Sequence, residues 1–346
     1  MASGYEIVLY GRKMENEIPS TSDFKVSLIS VLFKKGFMFY ALFNIQLFFK
    51  LLFTKADVFY ANDLDTLPAN YLASAFRRKP LIYDSHEYFT EVPEIQNRPF
   101  VKAVWKFFER TCIRRCDVII TVSQSIVDLL KATYKLEKVY LVRNMPFETI
   151  DIVPYSKAEM GVNENSFLIV LQGAGINVDR GAEELVEAMA VVENATLMIL
   201  GSGDALPILK ASVDRLGLSK KVIFKPKMPF TEMMRHTAAA DLGVSLDKDT
   251  NLNYRYSLPN KVFDYALAGI PVLVSDLIEV RKLVLEYCIG AIVKELTPNG
   301  ISNEIRKLQE NPSKLATYKT NTKKLVESLN WQNDYKPVLE KLKTRG

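Results

Sequence analysis

Eleven apolar runs of strand length recur along this chain, most of them separated by segments long enough for a helix, and no other feature limits its fold as tightly. In the first half they are YEIVLYG (5–11), ADVFYA (56–61), KPLIYD (79–84), CDVIITV (116–122) and KVYLVR (138–143), with helix candidates near 37–54, 65–77, 98–115 and 123–134. Strands that are apolar at consecutive positions are buried on both faces, and successive parallel strands need a crossover between them. The pattern therefore predicts an α/β chain whose parallel sheets are covered by helices on both sides. A second series follows at SFLIVLQG (166–173), TLMILGSG (196–203), KVIFKP (221–226), ADLGVSL (240–246), IPVLVS (270–275) and IGAIV (289–293). Between the two, 151–165 turns polar around Pro154 and Gly161, which reads as a linker. At 346 residues the chain exceeds the length at which single cores stop growing. The expectation is two doubly wound parallel-sheet domains, 1–150 and 151–330, and a closing helix in 331–346 able to cross back to the first domain.

Charge and cysteine content narrow the function. The formal net charge is +5, with 20 Lys/Arg against 16 Asp/Glu in residues 1–150, an excess too small for a nucleic-acid binder. An acidic or membrane-surface partner for the first half fits it better. The three cysteines make no paired framework and no signal peptide opens the sequence, so the expected compartment is a reducing cytoplasm. Cys112 and Cys116 have no Cys or His nearby and read as core thiols. The run FMFYALFNIQLFFKLLF (37–53) approaches membrane-spanning length but is interrupted by Asn44, Gln46 and Lys50. It reads as a sheet-covering helix. The alternative is peripheral contact of 34–55 with the inner membrane face through Lys34, Lys35, Lys50 and Lys55.

The chemistry concentrates in YSLPNKVFDYALAGIPVLVS (256–275). A helix opening near Pro259 presents free N–H groups and the positive end of its dipole, and Lys261 adds a full charge there, which suits a phosphate. Asp264 lies one helical turn beyond Lys261, where a carboxylate can accept two hydrogen bonds from vicinal hydroxyls. Phosphate and ribose together indicate a nucleotide. In QGAGINVDRGAEELVEAM (172–189), Gly173, Gly175 and Gly181 permit close backbone approach, and Arg180 supplies a second cation. A dinucleotide fingerprint needs a glycine at position 178, which is Val178, so an NAD site is excluded. His86, in YDSHE beside Asp84 and Glu87, reads as a site residue, with a capping or core imidazole as its alternative. His236 looks structural. Asp63 and Asp65 could hold a divalent metal as a D-x-D pair, but just before a helix near Thr66 they read better as its cap, and no catalytic metal is expected.

The order of QGAGINVDRG, LMILGSGD, VIFKPKMP, AAADLGVSL and SLPNKVFDYALAGIPVLVS resembles the donor domain of GT-B glycosyltransferases of the large retaining family 4. ANDLDTLPANYLAS, LIYDSHEYFTEVPE, ERTCIRRCDVIITVSQSI and VRNMP resemble that family's acceptor half, in a branch associated with bacterial surface-polysaccharide synthesis. The resemblance implies two Rossmann-like domains and transfer of a sugar, with retention, from a nucleotide-sugar to a glycan or lipid-linked acceptor, with no cofactor. By that likeness Arg180 and Lys261 hold the donor diphosphate, Asp264 the ribose, and backbone around Lys227 and Met228 flanks the base. His86 matches an active-site histidine near the transferred sugar. Three departures stand out. Tyr256 occupies the place of the first acid of an E-x7-E pair, so donor-sugar contacts pass to backbone near Ser257, Pro259 and Asn260. Gly175 replaces an arginine of the diphosphate grip. YEIVLYGRK resembles the family's second strand, which implies a first domain without the initial strand-helix unit unless residues 1–30 supply a substitute. Two alternatives stay open: a nucleotide-sugar 2-epimerase of the same architecture, and a non-catalytic nucleotide-binding homologue.

Overall fold

The computed structural model describes residues 4–13, 24–146 and 151–343, and the chain divides into two compact units. Among the described residues the N-terminal unit takes those up to 90, 94–121 and 127–140; the C-terminal unit takes 91–93, 122–126 and those from 141 onward.

In the N-terminal unit, β1 (Val8–Arg12) and β2 (Lys25–Ile29) pair in parallel as a two-stranded sheet. A second sheet runs in the order β3 (Phe59–Asn62), β4 (Leu81–Ser85), β5 (Val118–Thr121), β6 (Val139–Leu141), with β3/β4 and β4/β5 parallel. β5 and β6 fall inside the predicted runs, and β1, β3 and β4 each extend one residue past theirs. β2 was not anticipated: KVSLI alternates polar and apolar over only five residues, too short to separate from a loop. Helix α1 (Phe37–Phe53) turns Phe39, Phe43, Leu47 and Leu51 inward at four-residue spacing and packs on α2 (Leu67–Arg77). Cys112 and Cys116 are both buried, and burial pushes the Cys112 thiol up to about 12, so these are inert core groups. No helix among the described residues is long and apolar enough to cross a membrane.

The C-terminal unit holds β7 (Phe167–Gly173), β8 (Ala195–Gly201), β9 (Val222–Lys225), β10 (Leu242–Ser245), β11 (Val272–Ser275) and β12 (Gly290–Val293). They form one sheet in the order β12-β11-β10-β7-β8-β9, parallel throughout. Alternate residues feed two cores. Ile169, Leu171, Leu197 and Val244 face the helices Ala182–Ala188, Leu206–Arg215 and Pro298–Gln309, while Leu168, Val170, Met198 and Val272 face Asn260–Leu267 and Ile278–Tyr287. The segment 151–165, read as a linker, packs on this unit: Met160 and Val162 join its core, and Lys157 pairs with Asp241 at 2.8 Å. In the closing helix Trp331–Lys343, Asp334 accepts from the guanidinium of Arg143 at 2.9 Å and from its backbone N–H at 3.0 Å.

Candidate functional site

Strand order reverses between β7 and β10. On either side of that point the connections run to opposite faces, leaving a crevice beyond the strands' carboxyl ends, where ligands of open α/β sheets bind. The loop after β7 and the segment between β10 and the helix Asn260–Leu267 border it, and two glycines set their positions.

Gly243 in β10 lies under the ring of Tyr265, and a Cβ there would stand 2.4 Å from the ring. The bare backbone lets the helix Asn260–Leu267 settle close enough for the Tyr265 hydroxyl to donate to Val244 O at 3.0 Å and accept from the Gln172 N–H at 3.2 Å. That anchors the helix to both strands of the reversal point. Lys261 and Asp264, one turn apart on it, then project over the end of β7. Gly181 does the same for the other wall: at φ +73°, with a Cβ that would sit 2.1 Å from Leu246 O, it can only be glycine. The tight approach brings Arg180 to the end of β10, where its Nε donates to Asp247 at 2.6 Å.

The resulting charges are unevenly satisfied. Asp247 is 1% exposed; one carboxylate oxygen holds Arg180 and the other has no hydrogen-bond partner among the described residues. Arg180 also donates to Gly175 O at 3.4 Å and lies 5.1 Å from the Tyr254 ring centroid. Lys261 is half-buried, its ammonium 4.0 Å from where a Cβ of Gly173 would stand. Among the described residues no hydrogen bond or ion pair reaches that ammonium. Burial lowers its pKa, opposed by the charge of Asp247 and reinforced by that of Arg180. Pro259 is the N-cap of the helix and offers no side-chain cap, so the first N–H groups open toward the same space. Two cations and a helix N-terminus around one crevice are a receptor for an anion.

Asp264 accepts from the Gln172 side-chain amide at 3.0 Å, and Gln172 in turn accepts from the Thr237 hydroxyl. Burial pushes Asp264 up to about 6, against the pull of Gln172 and Lys261. Its second oxygen can accept a ligand hydroxyl. Beyond β9, Lys227 is exposed and Met228 packs on the core, placing this turn at the same edge of the sheet. Ser257 donates through Oγ to Tyr254 O at 2.9 Å, and Asn260 is the exposed first residue of the helix. Thus Gly173, Gly175, Arg180, Lys261 and Asp264 come together at one crevice. Asp247 and Gln172 were not anticipated. Their signals were a carboxylate directly after a buried strand and an amide inside an apolar one.

His86 belongs to the N-terminal unit. Its Nε2 lies 3.3 Å from Asp84, and that hydrogen bond raises its pKa to about 8 despite partial burial. Asp63, at φ 56°, accepts from the His86 backbone N–H at 2.9 Å and so ties the end of β4 rather than capping α2. The N-cap of α2 is Thr66, whose hydroxyl donates back to Asn62 O. Burial and the neighbouring Asp63 push Asp65 up to about 6; it borders a cavity of about 320 Å³ with Arg12, Tyr40, Asn62 and Asn70. His236 is buried and bonded to Glu232 O at 3.0 Å, a structural role. No group of three or more His, Cys, Asp or Glu placed to hold a metal occurs among the described residues.

The family profile described as Glycosyltransferase Family 4 matches residues 1–145, and that described as Glycosyl transferases group 1 matches 156–325. The chain belongs to the GT-B glycosyltransferases of the family 4 type. Among curated proteins it is 30% identical over 169 residues to the chitobiosyldiphosphodolichol beta-mannosyltransferase of Yarrowia lipolytica; the match covers 47% of this chain and about a third (35%) of that relative. Among solved structures it is similar to Anabaena HepE in complex with UDP-glucose (TM-score 0.74, 19% identity, 92% of this chain and 86% of that one). Sucrose-phosphate synthase from Thermosynechococcus elongatus superimposes with a TM-score of 0.76 at 16% identity, covering 99% and 90%. In this GT-B glycosyltransferase the reversal point of the C-terminal sheet is the crevice just described.

Proposed function

We propose that this chain moves a hexose from a nucleotide-sugar to an acceptor hydroxyl, with retention at the anomeric carbon, in the synthesis of a surface polysaccharide or glycolipid. The observation that carries the reading is the unsatisfied ammonium of Lys261 at a helix N-terminus, beside Arg180 and one turn from Asp264. In this reading 151–330 is the donor domain and 1–150 the acceptor domain. Gly173 and Gly175 let the diphosphate approach backbone, Arg180 and Lys261 neutralise it, Asp264 accepts the ribose hydroxyls, and Lys227 and Met228 flank the base. Ser257, Pro259 and Asn260 offer backbone to the donor sugar. A solved relative carrying UDP-glucose and a curated relative named a mannosyltransferase support a nucleotide-sugar donor.

As the bond from the anomeric carbon to the diphosphate breaks, negative charge grows on the leaving phosphate. Arg180, Lys261 and the helix N-terminus bind that charge more strongly than they bind the intact donor, which lowers the barrier. Fixed cations in a partly desolvated crevice make no reorganisation demand at that moment, so a metal is assigned no role. His86 is given the positioning of the transferred sugar or the acceptor. The cavity beside Asp65 mixes polar groups (Arg12, Asn62, Asn70) with the rings of Phe39, Tyr40 and Phe43, a lining that suits the hydroxyls and the apolar face of a sugar.

The test is incubation with labelled nucleotide-sugars, with and without glycan and lipid-linked acceptors, followed by NMR of the product anomer. Acceptor-dependent transfer with the donor's anomeric configuration supports the reading. Epimerised sugar from donor alone, or inverted product, overturns it.

A further inference from the structure

Apart from Asn44, Gln46 and Lys50, helix α1 is apolar on its outer side as well as on its buried one. Its inward stripe is Phe39, Phe43, Leu47 and Leu51, yet the side turned away carries Phe37, 72% exposed, Ile45, Phe49 and Phe53, 80% exposed. A helix that only covers a sheet turns polar residues to water. α2 continues the same surface with Leu72 and Phe76, the latter 71% exposed, and the Phe76 ring lies 5.9 Å from that of Phe48, tilted by 56°, while Phe48 meets Phe49 edge-on at 5.3 Å. A contiguous exposed patch of aromatic residues marks an interaction surface.

Charge decides what the surface fits. From 24 to 56 the chain carries five lysines and no carboxylate, and α2 carries none either. Lys34 and Lys35 are exposed at the start of α1, beside Phe37; Lys55 and Arg78 are exposed at its far end, where Arg77 donates to Leu52 O at 2.9 Å. Asp57, the nearby acid, is paired with Lys79 at 2.9 Å. An apolar ridge of about 25 Å is thus flanked at both ends by cations. A second copy of the chain, packing this face on itself, would set lysine against lysine or arginine whichever way the helices ran.

We propose that the exposed face of α1 and α2 docks on an anionic phospholipid bilayer, its phenylalanines entering the headgroup boundary and its flanking Lys and Arg contacting lipid phosphates. The orientation keeps α1 parallel to the membrane plane, consistent with a helix whose opposite side is committed to the core. The inference is independent of the donor assignment: it stands or falls on lipid binding alone.

The full chain is floated with vesicles of phosphatidylcholine alone and of phosphatidylcholine with phosphatidylglycerol. It is expected to bind the anionic vesicles and to be released by salt, as charge screening requires. The double change Phe53→Ser with Phe76→Ser should lower the partition coefficient by about a hundredfold, roughly tenfold for each partly inserted ring. Lys34→Gln with Lys35→Gln should weaken binding to anionic vesicles only. Because these side chains are exposed, thermal midpoints should stay at the wild-type value, and if the Phe pair lowers it, the Lys pair carries the test. Wild-type protein that remains unbound with both vesicle types, or that binds equally well after both double changes, overturns the proposal. So does self-association in sedimentation equilibrium without lipid that the Phe changes abolish, which would assign the face to a second copy.

Discussion

Lys261→Met should strengthen the empty fold while weakening its ligand, and the opposite signs are what distinguish a receptor cation from a structural one. The ammonium is half-buried, donates no hydrogen bond and makes no ion pair among the described residues, and has its pKa lowered by burial. Keeping it charged in the empty crevice therefore costs free energy. Methionine has a similar length and no charge, and relieving a cation whose burial outweighs the pull of Asp247 and Asp264 should stabilise by about 0.5–2 kcal/mol, the range usual for favourable single changes. On the ligand side, Lys261 supplies a charge-assisted hydrogen bond to a phosphate oxygen, worth about 1.5–3 kcal/mol, or roughly 10- to 150-fold in affinity. Urea unfolding without ligand and calorimetric titration with a nucleotide-sugar measure the two terms separately. A variant that is less stable when empty, or that binds the donor as tightly as wild type, refutes the reasoning.

Three further outcomes follow from individual contacts. Asp264 has its folded pKa raised to about 6, so it holds its proton more tightly in the fold than in the unfolded chain. Its contribution to stability therefore grows as pH falls from about 6 toward the ordinary carboxylate value, while nucleotide-sugar affinity falls over the same range as the ribose acceptor is protonated; Asp264→Asn should flatten the affinity profile measured by titration between pH 5 and 8. Gly181→Ala places a Cβ at 2.1 Å from Leu246 O in a left-handed conformation, and should cost at least about 2 kcal/mol in denaturant unfolding and weaken donor binding by displacing Arg180 from Asp247. The His86 imidazole should titrate near 8 by NMR, its charged form favoured below that, and Asp84→Asn should bring it toward 6.5.

Much of this was legible because it is periodic. Apolar runs located eleven of the twelve strands among the described residues, and the exception, β2, alternates polar and apolar residues over five positions with no turn signal. Arg180, Lys261 and Asp264 could be singled out from sequence because the first two lie where strand leads into helix and Asp264 follows one turn later, and the structure brings the three to one crevice. Asp247 and Gln172 were not, since their importance comes from partners 67 and 92 residues distant, Arg180 and Asp264, which only the strand order brings close. The reading of Asp63 as a cap went astray for a similar reason: its carboxylate finds the His86 N–H, made available by the parallel pairing of β3 with β4, before it finds the helix. Local pattern specifies elements; tertiary register decides which polar groups meet.

The most direct measurement is the thermal shift of the wild-type chain and of Lys261→Met across UDP-, GDP- and other nucleotide-sugars. A ligand present at a hundred times its dissociation constant adds about 2.7 kcal/mol to stability. At least one nucleotide-sugar should raise the wild-type midpoint at a concentration that leaves Lys261→Met unmoved. A flat panel for wild type, or equal shifts in both proteins, would contradict a nucleotide-sugar site built around Arg180, Lys261 and Asp264.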